Sequence, residues 1–360
     1  MVKQMKIVKQ YPKDALEIEV KKRHESIFSD IPFVKIKESK TNVRFGNKVF
    51  DIVVSALLSG KPAKFVFEVK TQAEPRFVRM AAAQMKDFLQ NSENSYGILV
   101  APYFSDNSRQ ICKEAGVGCV DLAGNAYLSF RNIFIDKSGI ANPFSTARVS
   151  KSIFFPKSSR ILRVLLTAPS RRWTVENISQ ESGISIGLAS RVKQALLAEE
   201  WIKEENRRFF LAKPEEALDQ WSKNYTYEKN CLFFYYSGLT EEQIEAGIKK
   251  ECNRKNYRYG LALFSGARKI APFVRFLRFF SYIEGNIEDI ADDLKLKKVE
   301  SGANVTLLQP YDDGVFYGLQ DINCINVVSD IQLYLDLKNY KGRGEEAAQA
   351  IFEQRIRPKW

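Results

Sequence analysis

The stretch from Lys157 to Lys213 constrains the chain most, because three helical periods and an alternating pair follow one another with little room between them. Its first segment, Ser158 to Ala168, carries Ile161, Leu162, Leu165 and Leu166 at helical spacing, and Pro169 stands just past its end. Thr174 is a good N-cap for a second helix that turns Val175 and Ile178 inward and stops at Gly183. Ser185 caps a third, running through Glu200, whose buried stripe is expected to be Leu188, Val192, Ala195 and Leu196. Trp201 to Leu211 then alternates around a polar tip, as two strands and a wing would.

That order reads as a winged helix-turn-helix. Ser185 at its start and Gly187, Ser190, Arg191 and Gln194 on its free face would let the third helix approach base edges, with Arg191 suited to guanine or phosphate. Arg207 and Arg208 at the tip of the strand pair are placed for phosphates. The same elements also suit a packing module that only joins domains.

The balance of charge favours the first use. The 360 residues carry a formal net charge of +12, and an excess of that size favours an anionic partner, usually nucleic acid. The single histidine, His24, excludes a histidine-based triad or a zinc site built on several histidines. Five scattered cysteines with no Cys-x-x-Cys suggest neither a disulfide framework nor a zinc ribbon. With no apolar run long enough for a membrane, the expectation is a cytoplasmic protein.

The length suits two or three domains, and the fold class expected is α/β (α+β) with three: a mixed sheet flanked by helices over 1–136, the winged helix-turn-helix over 158–224, and a C-terminal α/β domain over 225–360. Residues 137–157 read as a basic linker whose Arg148, Lys151 and Lys157 are placed to track phosphates or simply to be solvated.

In the first domain a helix is expected over Asp14 to Phe28, with Glu17 and Glu19 flanking its apolar stripe. Lys48 to Leu58 and Lys64 to Lys70 alternate like a hairpin around Ser59-Gly-Lys-Pro62. If Leu58 faces Ala63, Asp51 faces Lys70, and Glu68 shares their side of the sheet. Asp51 followed by Glu68-Val-Lys70 resembles the PD-(D/E)xK restriction-endonuclease-like superfamily, although Phe50 stands where that pattern has proline. The resemblance implies Mg²⁺ held by Asp51 and Glu68, with Lys70 assisting, Glu19 as an added carboxylate and Gln84 as a supporting side chain. Mg²⁺ prefers such oxygens, and a lysine stabilises charge on phosphorus. A nuclease-like fold kept only to grip DNA fits the same residues, so the sequence leaves enzymatic activity uncertain.

Further on, Val120-Asp-Leu-Ala-Gly-Asn125 reads as a turn between apolar strands, a type I′ hairpin being one way to make it. In the C-terminal region Asp312-Asp313 before Gly314 reads as a turn or, alternatively, a metal ligand pair. Arg268 and Lys269 would make an anion site if a helix begins at Ser265-Gly266, and Arg275 to Phe280 suits either core or a nucleic-acid clamp.

Together with Val120 to Asn125, the segments Glu300 to Asn304, Gln309 to Asp312, Val315 to Gly318 and Ser329 to Leu337 resemble the AbiEi antitoxins of type IV toxin-antitoxin systems. That resemblance implies a transcription regulator or antitoxin-like protein paired with a nucleotidyltransferase-like toxin. Beside it, the expectation is binding of double-stranded DNA that requires no cofactor, with a homo-oligomer also open. The other reading is a Mg²⁺-dependent DNA endonuclease targeted by the winged helix.

Overall fold

The computed structural model describes residues 28, 31–45, 48–89, 94–143, 153–271 and 278–360. The expected helix ahead of Phe28, with Glu17 and Glu19, lies outside them, as do Arg148, Lys151 and residues 275–277 of the aromatic run. The chain divides into two compact units, one reaching to Arg148 and including Ala198–Glu200, the other Val149–Leu197 with Trp201–Trp360. The fold is mixed α/β, as expected.

The first unit is a seven-stranded sheet with its strands in sequence order. Strands β1 (Val34–Phe45), β2 (Lys48–Leu58) and β3 (Lys61–Val69) form an antiparallel meander. Helix α1 (Pro75–Leu89) crosses to β4 (Ser95–Ala101) and α2 (Asp106–Ala115) to β5 (Gly118–Asp121), both parallel steps, before β6 (Ala126–Phe130) and β7 (Ile133–Lys137) return antiparallel. Covered on both faces, β4 is buried from Tyr96 to Ala101, which is why its sequence is apolar without alternation. Val78, Ala81, Ala82 and Met85 of α1 pack on one face, close enough that a Cβ at Gly97 would overlap the Met85 side chain.

The hairpin register differs from the one expected. Its turn holds only Ser59 and Gly60, both at positive φ (47° and 82°), so Leu58 pairs with Lys61 rather than Ala63 and every partner moves by two residues. Pro62 is tolerated because it stands at the start of β3, before β4 begins alongside at Lys64. Ile52 pairs with Phe67, so Asp51 comes level with Glu68 and not with Lys70. The turn after β5 also departs from a two-residue hairpin. Gly124 has φ 106°, but the loop spans 121–125 and is closed by the Asp121 carboxylate, which accepts the N–H groups of Gly124 and Asn125 at 2.9 Å each.

The second unit begins with α3 (Pro156–Thr167), α4 (Val175–Ser182), α5 (Ile186–Ala198) and the antiparallel pair β8 (Ile202–Glu205) and β9 (Arg208–Leu211). After α6 (Pro214–Asn224) comes another seven-stranded sheet, mixed in direction, built from β10 (Cys231–Tyr236), β11 (Tyr259–Leu261), β12 (Phe279–Ile283), β13 (Lys297–Lys298), β14 (Val305–Gln309), β15 (Gln320–Ile322) and β16 (Ile325–Val327). Around it lie α7 (Glu241–Lys255), α8 (Leu263–Ile270), α9 (Ile287–Asp293), α10 (Asp330–Lys338) and α11 (Gly344–Ile351). One apolar cluster runs through this whole unit, from Leu162 and Leu165 in α3 to Leu333 and Leu337 in α10.

One polar group inside that core gathers several partners. The Asp336 carboxylate, fully buried, accepts from the hydroxyls of Tyr225 (2.6 Å) and Tyr282 (3.0 Å) and from Gln332 Nε2 (2.7 Å). Arg163 of α3 reaches the same place, hydrogen-bonding Gln332 and lying 4.9 Å over the Trp221 ring. Burial pushes the Asp336 carboxyl up to about 7, against the opposing pull of its hydrogen bonds and of Arg163. The folded chain therefore holds this proton more tightly than the unfolded one, whose aspartates titrate near ~3.9. Its contribution to stability is fully present below that value and is lost as pH rises through about 7. We expect wild type to lose more stability between pH 5 and pH 8 than Asp336→Asn does, with a difference in slope of up to about 1.4 kcal/mol per pH unit. Urea unfolding of both proteins at the two pH values is the check.

Candidate functional site

The exposed surface of α5 is set by a tight connection. Gly183 ends α4 in the left-handed conformation (φ 64°), and Ser185 accepts the Leu188 N–H at 3.3 Å. Ala189, Val192, Ala195 and Leu196 are buried and Leu188 is half-buried, which leaves Gly187, Arg191 and Gln194 exposed and Ser190 partly so. Ile186 is 55% exposed beside them, a position the sequence reading missed. An apolar side chain directly after the cap and outside the buried stripe was the signal. Such a residue suits the methyl group of thymine.

The strand pair is closed by Asn206 and Arg207, both at positive φ (51° and 62°), with Glu205 facing Arg208 across the turn. Two left-handed residues at a two-residue turn match the twist of the strands. A third segment joins through Trp173, which exchanges backbone hydrogen bonds with Phe209 at 2.8 and 2.9 Å. The two acids of β8 are spent locally: Lys193 binds Glu204 and Arg172 binds Glu205, each at 2.6 Å. Among the described residues Arg191, Arg207 and Arg208 have no carboxylate partner, and all three are exposed.

In the first unit Asp51 is 8% exposed, and its Oδ2 accepts the Val69 N–H at 2.6 Å. Lys70 Nζ donates to Glu68 Oε1 at 2.8 Å, while Glu68 Oε2 is buried with no hydrogen-bond partner among the described residues. Lys48 completes the cluster. Its ammonium lies 4.8 Å from the Phe50 ring, and its pKa is lowered by burial and by Lys70, with Glu68 opposing. Lys48 was not singled out from the sequence, because nothing in the motif spacing points to it. Gln84 is exposed on α1, whose Ala81, Ala82 and Met85 take the sheet-facing positions.

As to fit, two carboxylates at neighbouring strand positions and one buried, unpartnered carboxylate oxygen are the donor chemistry Mg²⁺ takes. Among the described residues no group of three or more His, Cys, Asp or Glu is placed to hold a metal, and Glu19 lies outside them.

Elsewhere the structure assigns candidate acids and bases to structural work. Asp312 Oδ1 accepts the Gly314 N–H at 2.8 Å and caps a short 3-10 turn, so the acidic pair is a turn. Arg268 and Lys269 fall in the last turn of α8, paired with Glu241 and Glu245 at 2.5 and 2.7 Å, so they do not frame an anion at a helix start. Phe279 and Phe280 are core.

Residues 210–357 match a family model described as transcriptional regulator, AbiEi antitoxin, type IV TA system. The match covers less than half of the chain. It contains four of the segments that resemble AbiEi antitoxins, and the Val120 to Asn125 turn falls outside it. No curated protein matches the chain. Among solved structures, a repair endonuclease from Pyrococcus abyssi aligns over 31% of this chain and 47% of its own, at 18% identity and a TM-score of 0.23. An EndoMS–dsDNA complex aligns over 32% and 46%, also at 18% identity and 0.23. The chain thus spans under half the length of either, and neither bears on the reading of the site. No helix among the described residues is long and apolar enough to cross a membrane.

The Asp51 geometry carries a consequence for mutagenesis. Removing a buried acceptor strands the Val69 N–H, so Asp51→Ala should lose about 1–3 kcal/mol of unfolding free energy in urea titrations. An unchanged midpoint and slope would show that the carboxylate is not needed by the fold.

Proposed function

We propose that the protein is a regulator of the AbiEi antitoxin kind that binds double-stranded DNA through a winged helix-turn-helix, α5 entering the major groove and the β8–β9 tip resting on phosphates. The observation that carries this reading is a set of arginines with no carboxylate partner among the described residues: Arg191 on the exposed side of α5, and Arg207 and Arg208 on the tip, beside acids that are already neutralised. Gly187, Ser190 and Gln194 lie on the same helix side as Arg191, small or hydrogen-bonding residues that fit close to base edges. No cofactor is needed for this use. The family match in residues 210–357 supports a toxin as the protein partner; on our reading it is nucleotidyltransferase-like and is met by the C-terminal α/β part in a cytoplasmic setting. A second copy of the chain is the other candidate partner.

The buried, unpartnered Glu68 Oε2 supports a second reading, a Mg²⁺-dependent endonuclease. Asp51 and Glu68 would hold the ion, which supplies Lewis acidity at the phosphate; Lys70 and Lys48 would stabilise charge there, and Glu19 and Gln84 remain supporting candidates. We favour regulation, because Lys70 is committed to Glu68.

Arg191→Ala should cost about 1–3 kcal/mol on a preferred duplex and relax its sequence preference, while Arg207→Ala and Arg208→Ala weaken all duplexes alike. Gel shifts or anisotropy titrations decide it, and unchanged affinity in all three variants excludes the module as a DNA reader. Log affinity should fall with log salt by roughly 0.9 per phosphate neutralised. Plasmid should stay intact in Mg²⁺; cleavage by wild type that disappears in Glu68→Gln would establish the endonuclease instead.

A further inference from the structure

We propose that the turn Asp312 to Tyr317 is a brace that sets the pose of α5, an inference that rests on the DNA-reading role given to that helix. Arg160 of α3 donates Nε to Asp312 Oδ1 and Nη2 to Asp312 Oδ2, both at 2.8 Å. The carboxylate is itself aimed by the Gly314 N–H. On its other side the same guanidinium stands against the connection between α4 and α5, where a Cβ at Gly183 would lie 3.6 Å from Arg160 Nη1. Tyr317 makes the second hold, its hydroxyl donating at 2.9 Å to Glu181, two residues before that connection. Close approach of the turn requires Gly314: a Cβ there would lie 3.1 Å from both Arg160 Cγ and Arg163 Nε.

One turn of the α/β part therefore grips α3 through Arg160 and α4 through Glu181, at the end of α4 from which α5 departs. The apolar contacts that bury Ala189, Val192 and Leu196 are non-directional, and the ion pair of Lys193 with Glu204 ties α5 to the strand pair and not to the α/β part. A planar arginine fork on a carboxylate is directional. Base-edge hydrogen bonds need the helix placed to within about 0.5 Å, whereas phosphate contacts from long arginines tolerate more. Asp312, Arg160 and Tyr317 are thus positioning residues, and loosening them costs discrimination between sequences before it costs grip.

The test uses the full chain and two variants, Asp312→Asn and Tyr317→Phe. The second keeps the ring and its packing, so it carries the test alone if the first does not fold. Hydrogen–deuterium exchange should run at least fivefold faster over residues 175–198 in each folded variant, with α7 and β14 unchanged; equal exchange over 175–198 overturns the brace whether or not DNA is bound. On DNA, the affinity ratio between a duplex selected from a random pool and an unselected duplex of equal length should fall about tenfold, with the unselected duplex bound as before. Equal loss on both duplexes also overturns the brace. A wild type that selects no duplex sinks the reading of α5, while the exchange measurement still decides whether the turn holds it.

Discussion

Arg163 is the residue on which the second unit turns. A guanidinium that is 2% exposed inside an apolar cluster is costly unless its charge and its donors are answered. Here Gln332 accepts from it, the Trp221 face covers it, and Asp336 lies within the same hydrogen-bonded group. Those answers come from two other helices, Trp221 from α6 and Gln332 with Asp336 from α10, so the charge on α3 can be buried only if all three helices are in place. The cluster Ile161, Leu162, Leu165, Leu333 and Leu337 then closes around it as one core. Helices that resemble a free-standing DNA-binding module in sequence are, in the fold, the first layer of the domain that follows them.

How much of this was legible depends on the range of the contact. The faces of α5 were, because helical spacing alone decides that Val192, Ala195 and Leu196 go inward and Arg191 and Gln194 outward. The strand pair around a polar tip was legible as well, and the fold closes that tip at Asn206-Arg207. The hairpin at Ser59-Gly60 was placed but mis-registered. Lys61-Pro62 looks like more turn until one knows that β4 begins alongside only at Lys64, leaving Pro62 opposite a single strand. Because the slip was two residues and not one, the faces survived it and only the partners changed, Asp51 meeting Glu68 in place of Lys70.

Contacts across long separations in the chain left no trace in the pattern. Arg160 and Asp312 are 152 positions apart, and each reads locally as something else: a surface arginine on a helix and a turn aspartate. The same holds for Lys48, brought toward Glu68 and Lys70 only by the fold of the meander. Asp121 shows the opposite case, a motif acid whose partners Gly124 and Asn125 are its near neighbours, so that a turn role could be read directly.

Charge, finally, acts through what is left over after pairing. The β8–β9 pair carries Glu204 and Glu205 among Lys203, Arg207 and Arg208, so by composition its acids offset most of its bases. Lys193 and Arg172, which are not part of the tip, take up both acids and leave the tip arginines their full charge. In the first unit the pairing runs the other way: Lys70 lies against Glu68, and a phosphate would have to compete with a carboxylate at 2.8 Å for its ammonium. Two surfaces of similar composition thus differ in what they offer an anion, and the one that offers unpaired arginines is the one whose neighbouring helix presents small and hydrogen-bonding side chains outward.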